Sequence, residues 1–517
     1  MPLSIPVLSP EQSNQWDRLA AKAGIEVATL MESAGRAAAA VLADRFGPLL
    51  KSGVLVAAGP GNNGGDGWVL ARALHRVDVP VWVASHGTSS DLCARMAGIA
   101  RAEAVREVTP DGPWPSVGLA IDALLGTGAS GSPRPAIEAL ASRMHDLEVP
   151  IVALDGPTGV DLLTGVVHGV THADLSVTFG GFRRGHLLAR DEVGTIIVVD
   201  IGHPPPDPGW PVTVTDLQAV GWLRRLRARD HKGDRGRVVI VGGSAGMTGA
   251  LRIAARAAFA AGAGLVHAVA PADTIAALVQ AEPDLQTLAQ QFDQPPARAL
   301  LDLIASADAV AIGPGLGREP GRRDLVTALL EAAPAAVVDA DALVVFGGAV
   351  PQLAALTRAR PVVLTPHPGE FRALFPELAA TRELDPWAAA RSAAELTGAA
   401  VLLKGVPTVI ASEAGPLLTV VAGNPGLATG GSGDLLTGLV ATGLAQGLDP
   451  TSAAGLGVQA LGRAADLAAR RHTARALRPM DVIAALPDLW REWEILGTAR
   501  PAPRPPRLFE LPRPQTA

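Results

Sequence analysis

The feature that most constrains the fold is a recurring short run of apolar and β-branched residues: Val54–Ala58, Val79–Ala84, Leu119–Ile121, Pro150–Leu154, Leu175–Phe179 and Ile196–Val199, several of them separated by helix-length segments. Runs this short, with little polar alternation, read as strands covered on both faces, which calls for a parallel sheet with right-handed helical crossovers. After Gly202 the pattern gives way to a proline-rich stretch, His203 to Pro211. It resumes with Arg237–Val241, Leu265–Ala270, Ala309–Ile312, Ala336–Val338, Pro361–Leu364 and Ala400–Leu403. A chain of 517 residues also exceeds one ordinary core. The expectation is therefore an α/β protein of two domains: 1–215, a connecting region 216–230, a second domain 231–490, and a Pro/Arg-rich tail 491–517 expected to be disordered. Near the start, Ser9, Pro10 and Gln12 have the spacing of an N-cap, a first-turn proline and a capping box, so a helix is expected to begin there.

Composition excludes several function classes. The hydrophobic fraction of 48% and charged fraction of 18% are those of a globular chain, and the net charge of −6 comes without a basic stripe. Neither nucleic acid nor a membrane surface is an expected partner, because each needs concentrated positive charge. The one dense basic run before the tail, Leu223 to Arg229, reads as a solvated helix face. Cys93 is the only cysteine, which rules out an intrachain disulfide and a multi-cysteine zinc site and fits a reducing cytoplasm. The start of the chain lacks a basic region followed by an apolar core, so export is not expected.

Three loops of the first domain follow expected strands, and ligands of such sheets bind beyond the strands' carboxyl ends. Gly59-Pro-Gly-Asn-Asn-Gly-Gly-Asp-Gly67 offers glycines for close backbone approach to a pyrophosphate, with Asn62, Asn63 and Asp66 as polar contacts. Asp122-Ala-Leu-Leu-Gly-Thr-Gly-Ala-Ser-Gly-Ser132 places an acid at a strand end before small residues, where Asp122 could also be a simple loop cap. Asp155-Gly-Pro-Thr-Gly-Val-Asp161 exposes Asp155 at the rim, alternatively as an Asx turn. Oxygens from Asn63, Asp122 and Thr158 suit a hard cation such as potassium.

These loops, in this order, resemble those of NAD(P)H-hydrate epimerases over roughly Ser9 to Asp200, including Leu30-Met-Glu-Ser-Ala-Gly35. The resemblance implies a Rossmann-like three-layer domain in which Asn63, Asp122 and Thr158 hold potassium. The hydrated dinucleotide would meet Asn62, Asn63, Gly64, Gly65, Asp66, Gly126, Thr127, Gly128, Ala129, Ser130, Gly131, Ser132 and Asp155, with Asp155 the acid/base that inverts the hydrated carbon. One departure is Arg183, where the family usually has lysine; arginine holds phosphate equally well, but its pKa is too high for proton transfer.

In the second domain, Asn424-Pro-Gly-Leu-Ala-Thr-Gly-Gly-Ser-Gly-Asp434 runs into an apolar helical stretch. Gly430 to Gly433 let amides crowd a phosphate at a helix N-terminus, whereas the Asp434 carboxylate would repel it. Asp434 makes better sense as a base taking a proton from a hydroxyl that attacks the phosphate, the alternative being an ordinary first-turn residue. Gly313 to Gly317, Thr365 to Phe371 and Lys404 to Thr408 precede it, each at an expected strand end, with His367 open to a plain loop role and Lys404 to that of a solvated strand end.

This ordered set is similar to the ribokinase-like ADP/ATP-dependent NAD(P)H-hydrate dehydratases over about Asp230 to Pro487. The resemblance implies hydrate contacts at Ala250, Gly315, His367 and Asp434, and nucleotide contacts at Lys404, Gly405, Val406, Pro407, Thr408 and Gly433. Glu370 matches the acid that helps organise magnesium. The whole chain is thus expected to be a bifunctional isomerase and lyase in which ADP yields AMP and phosphate. Its expected partners are small molecules and, by default, further copies of itself. A ribokinase-like kinase releasing a stable phospho-ester, and a noncatalytic first domain, are the competing readings.

Overall fold

The Ser9 hydroxyl accepts the Gln12 amide at 3.2 Å and the Gln12 side chain accepts the Ser9 amide at 2.8 Å, so the expected capping box opens the helix Pro10–Lys22. The computed structural model describes residues 5–169, 172–498 and 507–514. Two units form: residues up to Val212 together with the described part of 501–514, and residues from Thr213 to 498.

The strands of the first unit are β1 (Ile5–Leu8), β2 (Val54–Ala58), β3 (Val81–Ser85), β4 (Arg106–Val108), β5 (Leu119–Ala123), β6 (Ile151–Leu154), β7 (Leu175–Phe179), β8 (Phe182–Arg183) and β9 (Thr195–Val199). The sheet runs β9-β7-β6-β5-β2-β3-β4 with every neighbouring pair parallel, while β1 pairs with β8 outside it. Strand order reverses between β2 and β5, so the loops leaving these two strands open the crevice where such sheets bind ligands. All residues of β2, β5, β6 and β7 are buried, as the unalternating apolar runs require. Cys93 is buried in the same core, and burial pushes its thiol up to about 11.

After the boundary strand β10 (Val212–Thr213), the second unit contains β11 (Arg237–Val241), β12 (Leu265–Ala270), β13 (Gln286–Ala289), β14 (Ala309–Ile312), β15 (Ala336–Val338), β16 (Val362–Leu364), β17 (Ala400–Leu403), β18 (Thr408–Ala411) and β19 (Leu418–Val420). These run β13-β12-β11-β14-β15-β16-β17 in parallel, then β18 and β19 antiparallel. Order reverses between β11 and β14. There a Cβ added to Gly242 would lie 2.0 Å from the Pro314 carbonyl oxygen, so the two post-strand loops touch only because Gly242 has no side chain.

Two expectations are corrected. The region 216–230 is not simply a connection: the helix Asp216–Trp222 belongs to the second unit, its Asp216 accepting from Gln459 at 2.8 Å and Arg463 at 2.9 Å. Nor is the tail disordered where it is described. The helix Pro479–Thr498 carries past residue 490 and buries Trp493, and β20 (Arg507–Leu511) pairs antiparallel with β9 at the edge of the first unit's sheet. The proline count dominated the sequence reading, yet Trp493 and the Leu508-Phe-Glu-Leu511 run supply enough apolar surface to pack. Residues 499–506 and 515–517 of that tail lie outside the described residues. Among the described residues no helix is long and apolar enough to cross a membrane.

Two candidate active sites

In the first unit the three loops converge. Leaving β2, the chain turns so closely that a Cβ on Gly59 would fall 1.8 Å from the Leu124 carbonyl oxygen, and one on Gly64 the same 1.8 Å from the Gly59 oxygen. The helix Asn62–His75 therefore begins earlier than a glycine-rich loop implied, and its first turn sits against the loop after β5. Asn63 donates to the Leu125 carbonyl at 2.9 Å, while its own Oδ1 is buried without a partner. Asp122 accepts the Thr158 amide at 2.7 Å, the Thr158 hydroxyl at 2.8 Å and the Leu124 amide at 3.1 Å. Burial pushes the Asp122 carboxyl up, and these bonds hold the rise back. An orphaned amide oxygen together with a carboxylate and a hydroxyl makes an all-oxygen donor set that fits potassium.

Asp155, at the end of β6, adopts a left-handed φ of 62°, rare for a residue with a side chain. Thr127 approaches its Oδ2 with both amide, at 2.7 Å, and hydroxyl, and Arg183 Nη2 lies 3.1 Å from its Oδ1. Burial alone would raise this carboxyl, but Arg183 and Thr127 overcome burial and hold it below the usual range, so Asp155 is ionised at neutral pH. His186 is neutral, its pKa lowered by burial to about 4. Nδ1 accepts the Arg183 amide at 3.0 Å and Nε2 donates to the Asp155 carbonyl at 2.5 Å, so one imidazole links the backbones of the two charged residues. Asp66 goes the other way: burial, then the nearby Asp155 and Asp17 charges, push its carboxyl well up.

Of the sequence-expected residues, Asn63, Gly126, Thr127 and Asp155 meet. A Cβ on Gly126 would come 3.0 Å from Asp155 Oδ2 and 3.2 Å from Asn63 Cβ. Asn62 turns to the Ser90 hydroxyl, which donates to it at 2.8 Å. The stretch from Gly128 to Ser132 is largely exposed, and added Cβ atoms on Gly128 and Gly131 would touch nothing, so the structure does not bring this part of the loop onto Asp155.

In the second unit Gly431, at φ 99°, caps the helix Ser432–Ala445, which puts Asp434 in its first turn among amides lacking intrahelical acceptors. Lys404 Nζ bonds Asp339 at 2.8 Å and lies 3.9 Å from Glu370, and Thr437 donates to the other Asp339 oxygen at 2.7 Å. Burial opposes both charges of this pair, but each stabilises the other: Asp339 is held low and Lys404 high, so the lysine stays cationic. Gly433 abuts them, since its added Cβ would lie 3.4 Å from Lys404 Nζ. Asp434 is pushed up to about 6 by burial and by Asp339, with Lys404 opposing and Asp341 and Glu370 adding to the rise. A base of this pKa is largely ionised at neutral pH yet basic enough to take a hydroxyl proton.

Gly315 and Ala250 also come together, with an added Cβ on Gly315 3.3 Å from that of Ala250. His367 has a structural role. It caps the helix Pro368–Leu374, its Nδ1 accepting the Gly369 amide at 2.9 Å while Glu370 accepts the His367 amide at 2.8 Å. Gly405 and Val406 are exposed, and Thr408 donates back to the Gly405 carbonyl at 3.1 Å. Sequence reasoning missed Asp339, Asp341 and Thr437. The signal was present, for Asp339 follows β15 just as Asp122 and Asp155 occupy their strand ends. Among the described residues no three His, Cys, Asp or Glu side chains form a ready-made metal cage. A magnesium ion fits this carboxylate-rich rim in its usual manner, shared between one or two carboxylates and nucleotide phosphates.

Two parallel-sheet units, each with acids and glycine turns at its switch point, define a two-domain α/β enzyme with two sites. Residues 27–185 match the family model described as YjeF-related protein N-terminus, and residues 238–488 that described as NAD(P)H-hydrate dehydratase. The bifunctional NAD(P)H-hydrate repair enzyme of Salinibacter ruber is 36% identical over 94% of this chain and 96% of its own, and that of Escherichia coli 35% identical over 94% of each. A solved ADP/ATP-dependent NAD(P)H-hydrate dehydratase from Bacillus subtilis, co-crystallised with ATP and magnesium, is 27% identical with a TM-score of 0.47, covering 54% of this chain and 97% of its own. The chain belongs to the family of bifunctional NAD(P)H-hydrate repair enzymes.

Proposed function

We propose that this chain restores hydrated NADH and NADPH: the first unit interconverts the R and S hydrates, and the second dehydrates the S hydrate with ADP, giving NAD(P)H, AMP and phosphate, or with ATP in its place. The observation that carries this reading is Asp434, a carboxylate tuned to about 6, beside Lys404 at a glycine-capped helix N-terminus. Relatives matching 94% of the chain bear the corresponding name.

The hydrate carries its hydroxyl on a ring carbon bonded to the ring nitrogen, and hydroxide leaves poorly. Asp434 takes the hydroxyl proton as the oxygen attacks the terminal phosphorus of the nucleotide. First-turn amides around Gly433 and the Lys404 ammonium stabilise the charge on the transferring group, which then leaves as phosphate with electron push from nitrogen, and loss of a proton from the adjacent ring carbon restores the ring double bond of NAD(P)H. Asp339 and Thr437 hold the lysine side of this arrangement in place. Magnesium, when bound, neutralises nucleotide phosphate charge near Glu370.

In the first unit the same carbon is a hemiaminal. Asp155 accepts the hydroxyl proton, the carbon–nitrogen bond opens to an aldehyde, and Asp155 returns that proton to the ring nitrogen. Rotation and reclosure invert the centre. Arg183 keeps Asp155 ionised without itself giving a proton, in keeping with its high pKa. Potassium, when bound by Asn63, Asp122 and Thr158, supplies fixed positive charge beside the dinucleotide. A reducing cytoplasm suits a chain whose single thiol is buried.

A mixture of both hydrate epimers with magnesium and ADP or ATP tests the whole reading. Complete return of reduced-nicotinamide absorbance, faster than spontaneous epimerisation and with stoichiometric phosphate, is expected. Arrest midway would remove the epimerase assignment, and accumulation of a phospho-ester would make the second unit a kinase.

A further inference from the structure

Strand β9 reads Thr195-Ile-Ile-Val-Val199 and is paired on one side with β7. As a free edge it would present four β-branched apolar residues and a row of unpaired amides, a form that natural sheets cover or interrupt. This chain covers it with β20, which follows the entire second unit in sequence. Leu511 pairs with Ile196, Glu510 with Ile197, Phe509 with Val198 and Arg507 with Val199, with one irregularity between Arg507 and Phe509. Side chains lock the register: Arg507 reaches Asp44 at 2.7 Å, Glu510 meets Arg45, and Arg190 donates to the carbonyls of Leu511, at 3.3 Å, and Pro512. The Phe509 ring stands edge-on to Phe182, centroids 5.8 Å apart, and Phe182 directly precedes the Arg183 that holds Asp155.

We infer that the outer edge of β9 is a peptide-docking edge that takes an extended Arg-x-Phe-Glu-Leu segment, filled by this chain's own residues 507–511, and that its occupancy sets the position of Arg183 and hence epimerase activity. The activity readout rests on the function proposed above; the docking itself does not. Pairing supplies affinity through main-chain hydrogen bonds and the Phe509 contact supplies specificity, as in strand addition generally. The coupling to chemistry is mechanical, because a shift of even 1 Å in a group holding the reactive carboxylate can cost rate by about a hundredfold.

The test compares the full chain with one ended after Thr498 and with full-length Phe509→Ala. Truncation is expected to lower epimerase kcat/KM by about tenfold or more, and dehydration of the pure S hydrate to stay at the parental rate. A synthetic peptide of residues 507–514 is expected to restore epimerase activity and to slow amide hydrogen exchange at Thr195–Val199 and Phe182–Leu188, both faster in the truncated chain. Parental epimerase rate together with parental exchange in the truncated chain would overturn the inference. So would parental epimerase rate in Phe509→Ala, which decides the matter if the shortened chain is insoluble. A parent chain inactive as an epimerase would count against the functional reading alone, because the exchange comparison with and without peptide still decides the docking.

Discussion

Asp155 and Asp434 are both carboxylates at the rims of parallel sheets, and their surroundings drive them in opposite directions. Arg183 and Thr127 outweigh burial at Asp155, whereas burial and neighbouring acids lift Asp434 to about 6. Asp155→Asn is expected to lower epimerisation by roughly a hundredfold or more with dehydration of the S hydrate unchanged, read by following each epimer separately. For Asp434 the free-enzyme pH profile of dehydration is expected to bend near 6 and fall about tenfold per unit below it. Stability takes the reverse sign. A carboxyl raised in the folded state binds its proton more tightly there, so its stabilising contribution is complete below the unfolded value of 3.8 and lost as pH rises through about 6. Asp434→Asn is thus expected to abolish dehydration yet raise Tm at pH 8, with the difference between variant and parent shrinking toward pH 4. The strand-end position of Asp122, Asp155 and Asp434's glycine turn were legible in the sequence. The Asp155–Arg183 pair and the His186 link were not, because they join residues brought together only when β6 and β8 are in place.

Elements repeat one device, a glycine that lets two backbones cross at a switch point. Gly59 at the end of β2 leaves room for the Leu124 carbonyl, which an added Cβ would meet at 1.8 Å, and Gly242 at the end of β11 leaves room for that of Pro314, at 2.0 Å. Gly59→Ala is expected to cost about 3 kcal/mol or more of stability in denaturant melts, since backbone rather than a movable side chain lies in the way. The apolar runs gave the interior parallel strands almost residue for residue, with Val54–Ala58, Arg237–Val241 and Leu265–Ala270 matching fully. Peripheral strands such as β4, β13 and β20 escaped notice because their residues are partly exposed and carry no unbroken apolar run.

For the molecule as a whole, the substrate common to both sites is a small diffusible dinucleotide, so the two activities need not reside on one chain. Equal amounts of Asp155→Asn and Asp434→Asn chains, mixed, are expected to convert both hydrates completely, whereas a chain carrying both substitutions converts neither; end-point absorbance distinguishes the two. The division into two series of strands was legible from the proline-rich break after Gly202. That the first unit is discontinuous in sequence was not, because nothing in the Pro/Arg composition around β20 announces a partner strand some 300 residues earlier.

That discontinuity imposes an order on birth. The ribosome delivers β9 and then builds the whole second unit before β20 emerges, an interval of roughly fifteen seconds to a minute at ordinary elongation rates. During that time the nascent sheet carries an uncovered apolar margin, and the half of the enzyme that is translated first is the half that matures last.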